Sequence, residues 1–146
     1  MQRDTLIALF TRPWMPDLAL FALRVTVGIL LVYHGTGKVF DGMQGLATHL
    51  SELGWPMPTL QAFLASYIEF AGGIFLTVGL FTRPTAFMMV GLFTIITFVY
   101  HGADPFKVQE KAFMFLMMVT VLTLVGPGRW SVDAKLFASE NADAGR

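Results

Sequence analysis

Four stretches of this 146-residue chain are apolar and long enough to cross a lipid bilayer, and that constraint precedes every other. No Asp, Glu, Lys or Arg occurs in residues 53–68, 70–82, 84–101 or 112–128, and a further apolar run, 18–40, is interrupted by Arg24 and punctuated by His34. A spanning helix needs about 20 mainly apolar residues. The chain therefore reads as four spans, near 18–40, 60–81, 84–101 and 106–125. A soluble fold could not hide this surface: 55% of residues are hydrophobic, 14% are charged, and the mean hydropathy is +0.62. The expected class is all-α, a polytopic membrane protein whose four transmembrane helices form one bundle.

Punctuation residues divide the chain into an N-terminal interfacial segment (1–17), a transmembrane domain (18–128) and a C-terminal tail (129–146). Leu6, Ile7, Leu9 and Phe10 suit a short interfacial helix, with Trp14 at headgroup depth. No short apolar core with a cleavage site follows, so no removable signal is read. Asp17 is the expected N-cap of the first span, and Gly35, Gly37 and Gly42 loosen its far end. The longest connection, 41–58, holds a small helix near 46–53 and then Gly54-Trp55-Pro56-Met57-Pro58, which cannot continue a regular helix. His49 is read as an exposed loop residue. Thr59 is expected to cap the second span, Pro84 suits the first turn of the third, Asp104-Pro105 opens the fourth, and Gly126-Pro127-Gly128 stops it. The composition after Leu136 is that of a disordered tail.

Basic residues set the expected orientation. Arg3, Arg12, Arg83, Arg129, Lys135 and Arg146 fall on one side, against Lys38, Lys107 and Lys111 on the other, which places both termini in the cytoplasm. Two words recur in the same order: Leu9-Phe10-Thr11-Arg12-Pro13 and Val32-Tyr33-His34-Gly35 return as Leu80-Phe81-Thr82-Arg83-Pro84 and Val99-Tyr100-His101-Gly102. The echo suggests two parallel helix-pair repeats about an axis along the membrane normal. Asp104-Pro105 follows the second copy where the first has Lys38, so any site is expected to be asymmetric.

Zero formal net charge gives no footprint for nucleic acid, and the absence of Cys excludes disulfide exchange and iron–sulfur ligation by this chain. Ionisable groups inside a bilayer cost about 2.5–3.5 kcal/mol on insertion scales, so they face the bundle interior and have partners. Here these are Arg24, His34, Lys38 and Glu69, with His101 and Glu110 nearer the boundary. Helical spacing puts Arg24, His34 and Lys38 on one face of the first span. Glu69 lies at a depth from which it can pair with Lys38, His34 or Arg24. Gly72 and Gly73 allow a neighbouring backbone to come close. Arg24 is read as a structural buried charge; His34, Lys38, Glu69 and His101 are ligand-binding or proton-relay candidates. The two histidines could hold a b-type haem or, with Glu69, one metal ion; hydrogen-bonding histidines or a quinone site are preferred, and no metal ligand is assigned. The nine Met residues read as packing and Tyr33 and Tyr100 as interfacial aromatics.

An ordered set of short motifs resembles the DoxX family of four-helix bacterial inner-membrane proteins. It comprises Leu23-Arg24 with Gly28, His34-Gly35, Lys38-Val39-Phe40, Gly54-Trp55-Pro56-Met57-Pro58, Glu69 with Gly72-Gly73, Gly79-Leu80-Phe81-Thr82-Arg83, and Gly126-Pro127-Gly128-Arg129-Trp130-Ser131-Val132-Asp133. The resemblance implies an inner-membrane location and kinship with the large subunit of thiosulfate:quinone oxidoreductase. It also implies kinship with a membrane partner of superoxide dismutase and a sulfurtransferase. A related thiol-disulfide branch is set aside for want of Cys. Arg24, His34, Lys38 and Glu69 carry over as motif positions.

The resulting expectation is a membrane subunit of an oxidoreductase or oxidant-defence complex that binds a quinone or similar apolar redox partner. His34 would bond a quinone oxygen, Glu69 exchange its proton and Lys38 stabilise negative charge. The bilayer is one partner; a soluble or membrane oxidoreductase, or a second copy of the chain, is another. The alternatives are a docking scaffold and a small-solute or proton pathway.

Overall fold

A computed structural model describes residues 14–136. Those residues are helical with no strand: α1 (Met15–Gly37), α2 (Met43–Glu52), α3 (Pro58–Val78), α4 (Thr82–Ile95) and α5 (Phe106–Val125). Among the described residues four helices are long and apolar enough to cross a membrane. The expected interfacial helix, the first copy of the Leu-Phe-Thr-Arg-Pro word and the end of the tail lie outside the described residues.

The seam between α1 and α3 is built from glycine. A Cβ on Gly28 would lie 2.6 Å from the Thr77 amide nitrogen; one on Gly35 would lie 2.6 Å from that of Phe70; and one on Gly73 would lie 2.7 Å from that of Val32. Backbone therefore meets backbone, the arrangement small residues permit where lipid supplies no hydrophobic drive between helices. Gly72 instead makes room for the Met89 side chain of α4. Beside this seam Val27, Leu31, Leu76, Met89, Phe115, Val119 and Leu122 close the core. Large apolar side chains such as Phe87, Met114 and Leu124 point outward, where the bilayer rather than water receives them. Several hydroxyls within the spans return to their own helix four residues back, as Ser66 to Ala62 O and Thr77 to Gly73 O do. No polar group is left to the lipid at those positions.

Several boundaries differ from the sequence reading. The glycines after His34 do not end α1: a π-helical segment, Lys38–Gly42, carries it into α2. The reason is tertiary, since Ala47 and Leu50 of α2 bury themselves against Ala62 of α3. His49 accordingly sits on α2, its ring edge-on to Tyr100 at 5.9 Å. Asp17 is not an N-cap: α1 starts at Met15, and the Asp17 carboxylate accepts the Arg129 amide at 3.2 Å. Thr59 is not a cap either, because α3 starts at Pro58 behind a left-handed Met57. A second π-helical segment, Ile96–Tyr100, ends α4. Pro105 and Gly126 bound α5 as expected.

The α3–α4 turn is clamped from two sides. Arg24, 1% exposed, donates to Leu76 O (2.8 Å), Thr77 O (2.9 Å) and Trp130 O (2.6 Å), so its charge meets the orphan carbonyls at the end of α3. The carboxylate of buried Asp133 accepts from the Phe81 and Thr82 amides at 2.7 and 2.8 Å, capping α4. This holds Phe81 at φ 50°, a conformation side chains other than glycine rarely adopt.

Gly73→Ala drives a methyl into the α1 backbone, and an overpacked seam costs about 1–3 kcal/mol; the thermal midpoint of the protein in detergent should fall. Asp133→Ala, which leaves two amides unanswered, should lower it by a comparable amount, about 1–3 kcal/mol.

Candidate functional site

α3 and α4 are tied together at the Gly79–Phe81 turn, and toward their other ends a cavity of about 630 Å³ lies between them, α1 and α5. α2 and the loop after it contribute Leu46, Leu50 and Trp55 to its lining, so the helix that the π segment carries forward borders the cavity. The stacked rings of Phe93 and Phe115, 5.2 Å apart, form its packed aromatic wall. Its lining also includes Leu64 of α3 and Ile95 of α4, which are 46% and 48% exposed. The cavity thus reaches the flank of the bundle between those helices.

All four candidate residues line this cavity. Lys38, at the first position of the π segment, donates from Nζ to Glu69 Oε1 at 2.5 Å, and Glu69 is 2% exposed. Of the partners open to Glu69, the structure selects Lys38. The geometry follows from the seam: once Gly35 admits Phe70, the next turn of α1 brings residue 38 to residue 69. A buried carboxylate costs several kcal/mol unless it is paired, and this contact supplies the pairing.

His34 lies one turn before Lys38, its ring edge-on to Phe115 at 5.8 Å. Among the described residues its ring nitrogens have no hydrogen-bond partner, so they are available to a ligand. His101 differs: Nδ1 lies 2.8 Å from Asp104 Oδ2. Its other ring nitrogen has no hydrogen-bond partner among the described residues. The two copies of Val-Tyr-His-Gly therefore sit differently, for Tyr33 is exposed whereas Tyr100 lines the cavity. Arg24 does not reach the cavity; its contacts are the structural ones described above. Glu110 does not line it either. His34, His101 and Glu69 do not converge as a metal-binding group, and none is found among the described residues.

Lys111 of α5 and Gln61 of α3 also line the cavity. Neither entered the sequence reading as a site residue. Lys111 was legible in principle, because it falls one turn before Phe115 on the face that buries Ala112, Phe115 and Val119.

Arg24 is a buried charge outside the cavity. Arg24→Lys keeps the charge but not the planar fork that reaches three carbonyls. Thermal stability should drop by about 1–3 kcal/mol, while ligand affinity of the folded fraction, measured by titration in detergent, should stay within twofold, since about 0.4 kcal/mol separates such affinities.

Comparison with known proteins agrees with this architecture. The sequence pattern of the DoxX family matches residues 19–102. The chain is 27% identical over 128 residues to inner membrane protein YqjF of Escherichia coli (strain K12), covering 84% of this chain and 95% of that protein. It is 30% identical over 130 residues to inner membrane protein YphA of the same organism, covering 82% and 91%. It is 31% identical over 124 residues to "putative oxidoreductase CatD" of Bacillus subtilis (strain 168), covering 83% and 89%. No solved structure matches. With the family pattern spanning more than half of its length and the four membrane-length helices in place, the chain is an integral inner-membrane protein of the DoxX family.

Proposed function

We propose that this protein binds a lipid-soluble quinone in the cavity between α1, α3, α4 and α5, as the membrane subunit of an oxidoreductase system. The carrying observation is the continuity of the cavity from the polar group His34, Lys38, Glu69 and His101 to the lipid-exposed side chains Leu64 and Ile95. A ligand with a polar ring and an apolar tail needs both ends at once. The volume, about 630 Å³, lies in the usual range for small-molecule sites. The oxidoreductase name of one relative points the same way.

A bound quinone would supply reversible two-electron chemistry; the chain supplies position and protons. His34, with free ring nitrogens, is placed to hydrogen-bond a ring oxygen, and Phe93 and Phe115 offer faces against which the ring can lie. Lys38, anchored by Glu69, presents positive charge to that polar end. Glu69 is the buried group placed to take up or release a proton through Lys38. The Lys and Arg count along the sequence favours cytoplasmic termini, which would put the cavity in the outer half of the membrane.

Trp55 gives the test a reporter, because it lines the cavity while Trp14 and Trp130 do not. Titrating a short-chain quinone into detergent-purified protein should quench fluorescence saturably, and Trp55→Phe should remove that saturable part. Glu69→Gln, which frees Lys38 from its anchor, should weaken binding about tenfold, or about 1.4 kcal/mol, while the protein still inserts. A docking scaffold pinned by the Lys38–Glu69 pair would lose stability in Glu69→Gln and show no saturable quenching in any form.

A further inference from the structure

Three charged side chains line the cavity, and they do not balance. Glu69 is matched by Lys38 at 2.5 Å. Lys111 of α5, an exposed residue that lines the cavity, has no carboxylate in ion-pair reach among the described residues. It lines the same cavity as His34, whose ring meets Phe115 edge-on. The nearby acidic residue Asp104 is engaged by His101 and does not line the cavity. An unmatched cation beside an apolar wall is a strong attractor, because attraction between unit charges grows as the effective dielectric falls.

We propose that Lys111 makes the cavity selective for an amphiphile whose polar end carries a full negative charge, over a neutral molecule of the same shape. The proposal rests on the reading of the cavity as a ligand site and adds the charge of the ligand. The anion would lie between the Lys111 ammonium and the free His34 nitrogen, with its apolar body toward Leu64 and Ile95. Lys111 would act by charge alone, as a compact ammonium on a flexible stem does. Such an anion can come from an acidic quinone ring or from a fatty-acid carboxylate, and the test separates the two.

The probes are 2-hydroxy-1,4-naphthoquinone, ionised at neutral pH, its neutral 2-methyl counterpart, and oleate as a competitor. Binding is read by Trp55 quenching in a neutral detergent with the full chain. The ionised ring should bind about tenfold tighter than the neutral ring, and Lys111→Gln should erase that preference. Lys107→Gln, the same change on the same helix away from the cavity, should keep it. Equal affinities in the wild-type protein overturn the proposal. So does a preference that survives Lys111→Gln, as it would if Lys111 only reached out to lipid phosphate. Loss of preference in Lys107→Gln would also overturn it, by tracing the effect to general surface charge. If neither ring binds but oleate bound directly, by equilibrium dialysis, depends on Lys111, the charge rule stands and the quinone reading falls. If no probe binds, both fall.

Discussion

The close approach of α1 and α3 is the contact on which the rest of the molecule depends. Antiparallel backbones meet at Gly28, Gly35 and Gly73, and that register fixes what happens at both ends of the seam. At one end Arg24 arrives at the last carbonyls of α3; at the other Lys38 arrives at Glu69. Neither charged side chain would be tolerable in a bilayer without its partner. Two charged side chains are thus tied to the same glycine seam, Arg24 holding a turn and Lys38 lining a cavity.

The two ends of the bundle are consequently different in kind. Near Arg24 the α3–α4 turn is closed by Asp133, the core is filled, and chain segments 51 or more residues apart share hydrogen bonds. Toward Lys38 the same helices enclose space rather than side chains, and both bordering π segments lie at that end. Such segments recur where helices are adapted for a functional site. The bundle is thus tied together at one end and open at the other.

Much of this was legible in the sequence because it depended on local properties. Apolar length gave the spans; Pro105 and Gly126 gave the limits of α5; and the cost of buried charge singled out Arg24, Lys38 and Glu69. What escaped depended on contacts between distant residues. Gly35, Gly37 and Gly42 argue locally for the end of a helix, but burial of Ala47 and Leu50 on Ala62 carries the helix onward. Asp17 has the chemistry of an N-cap and instead accepts from Arg129. Asp133 caps a helix that begins 51 residues earlier. Lys111 counted as a topological charge until the packing of α5 turned it toward the cavity.

The central claim is that the cavity holds a lipid-soluble ring compound in the membrane. Mass analysis of an organic extract, made from protein purified in mild detergent, tests it most directly when wild type is compared with Ala112→Trp, which fills the cavity. Quinone approaching one molecule per chain in the wild type, and little in the filled variant of equal stability, is the predicted result. Equal, trace amounts in both would contradict the account.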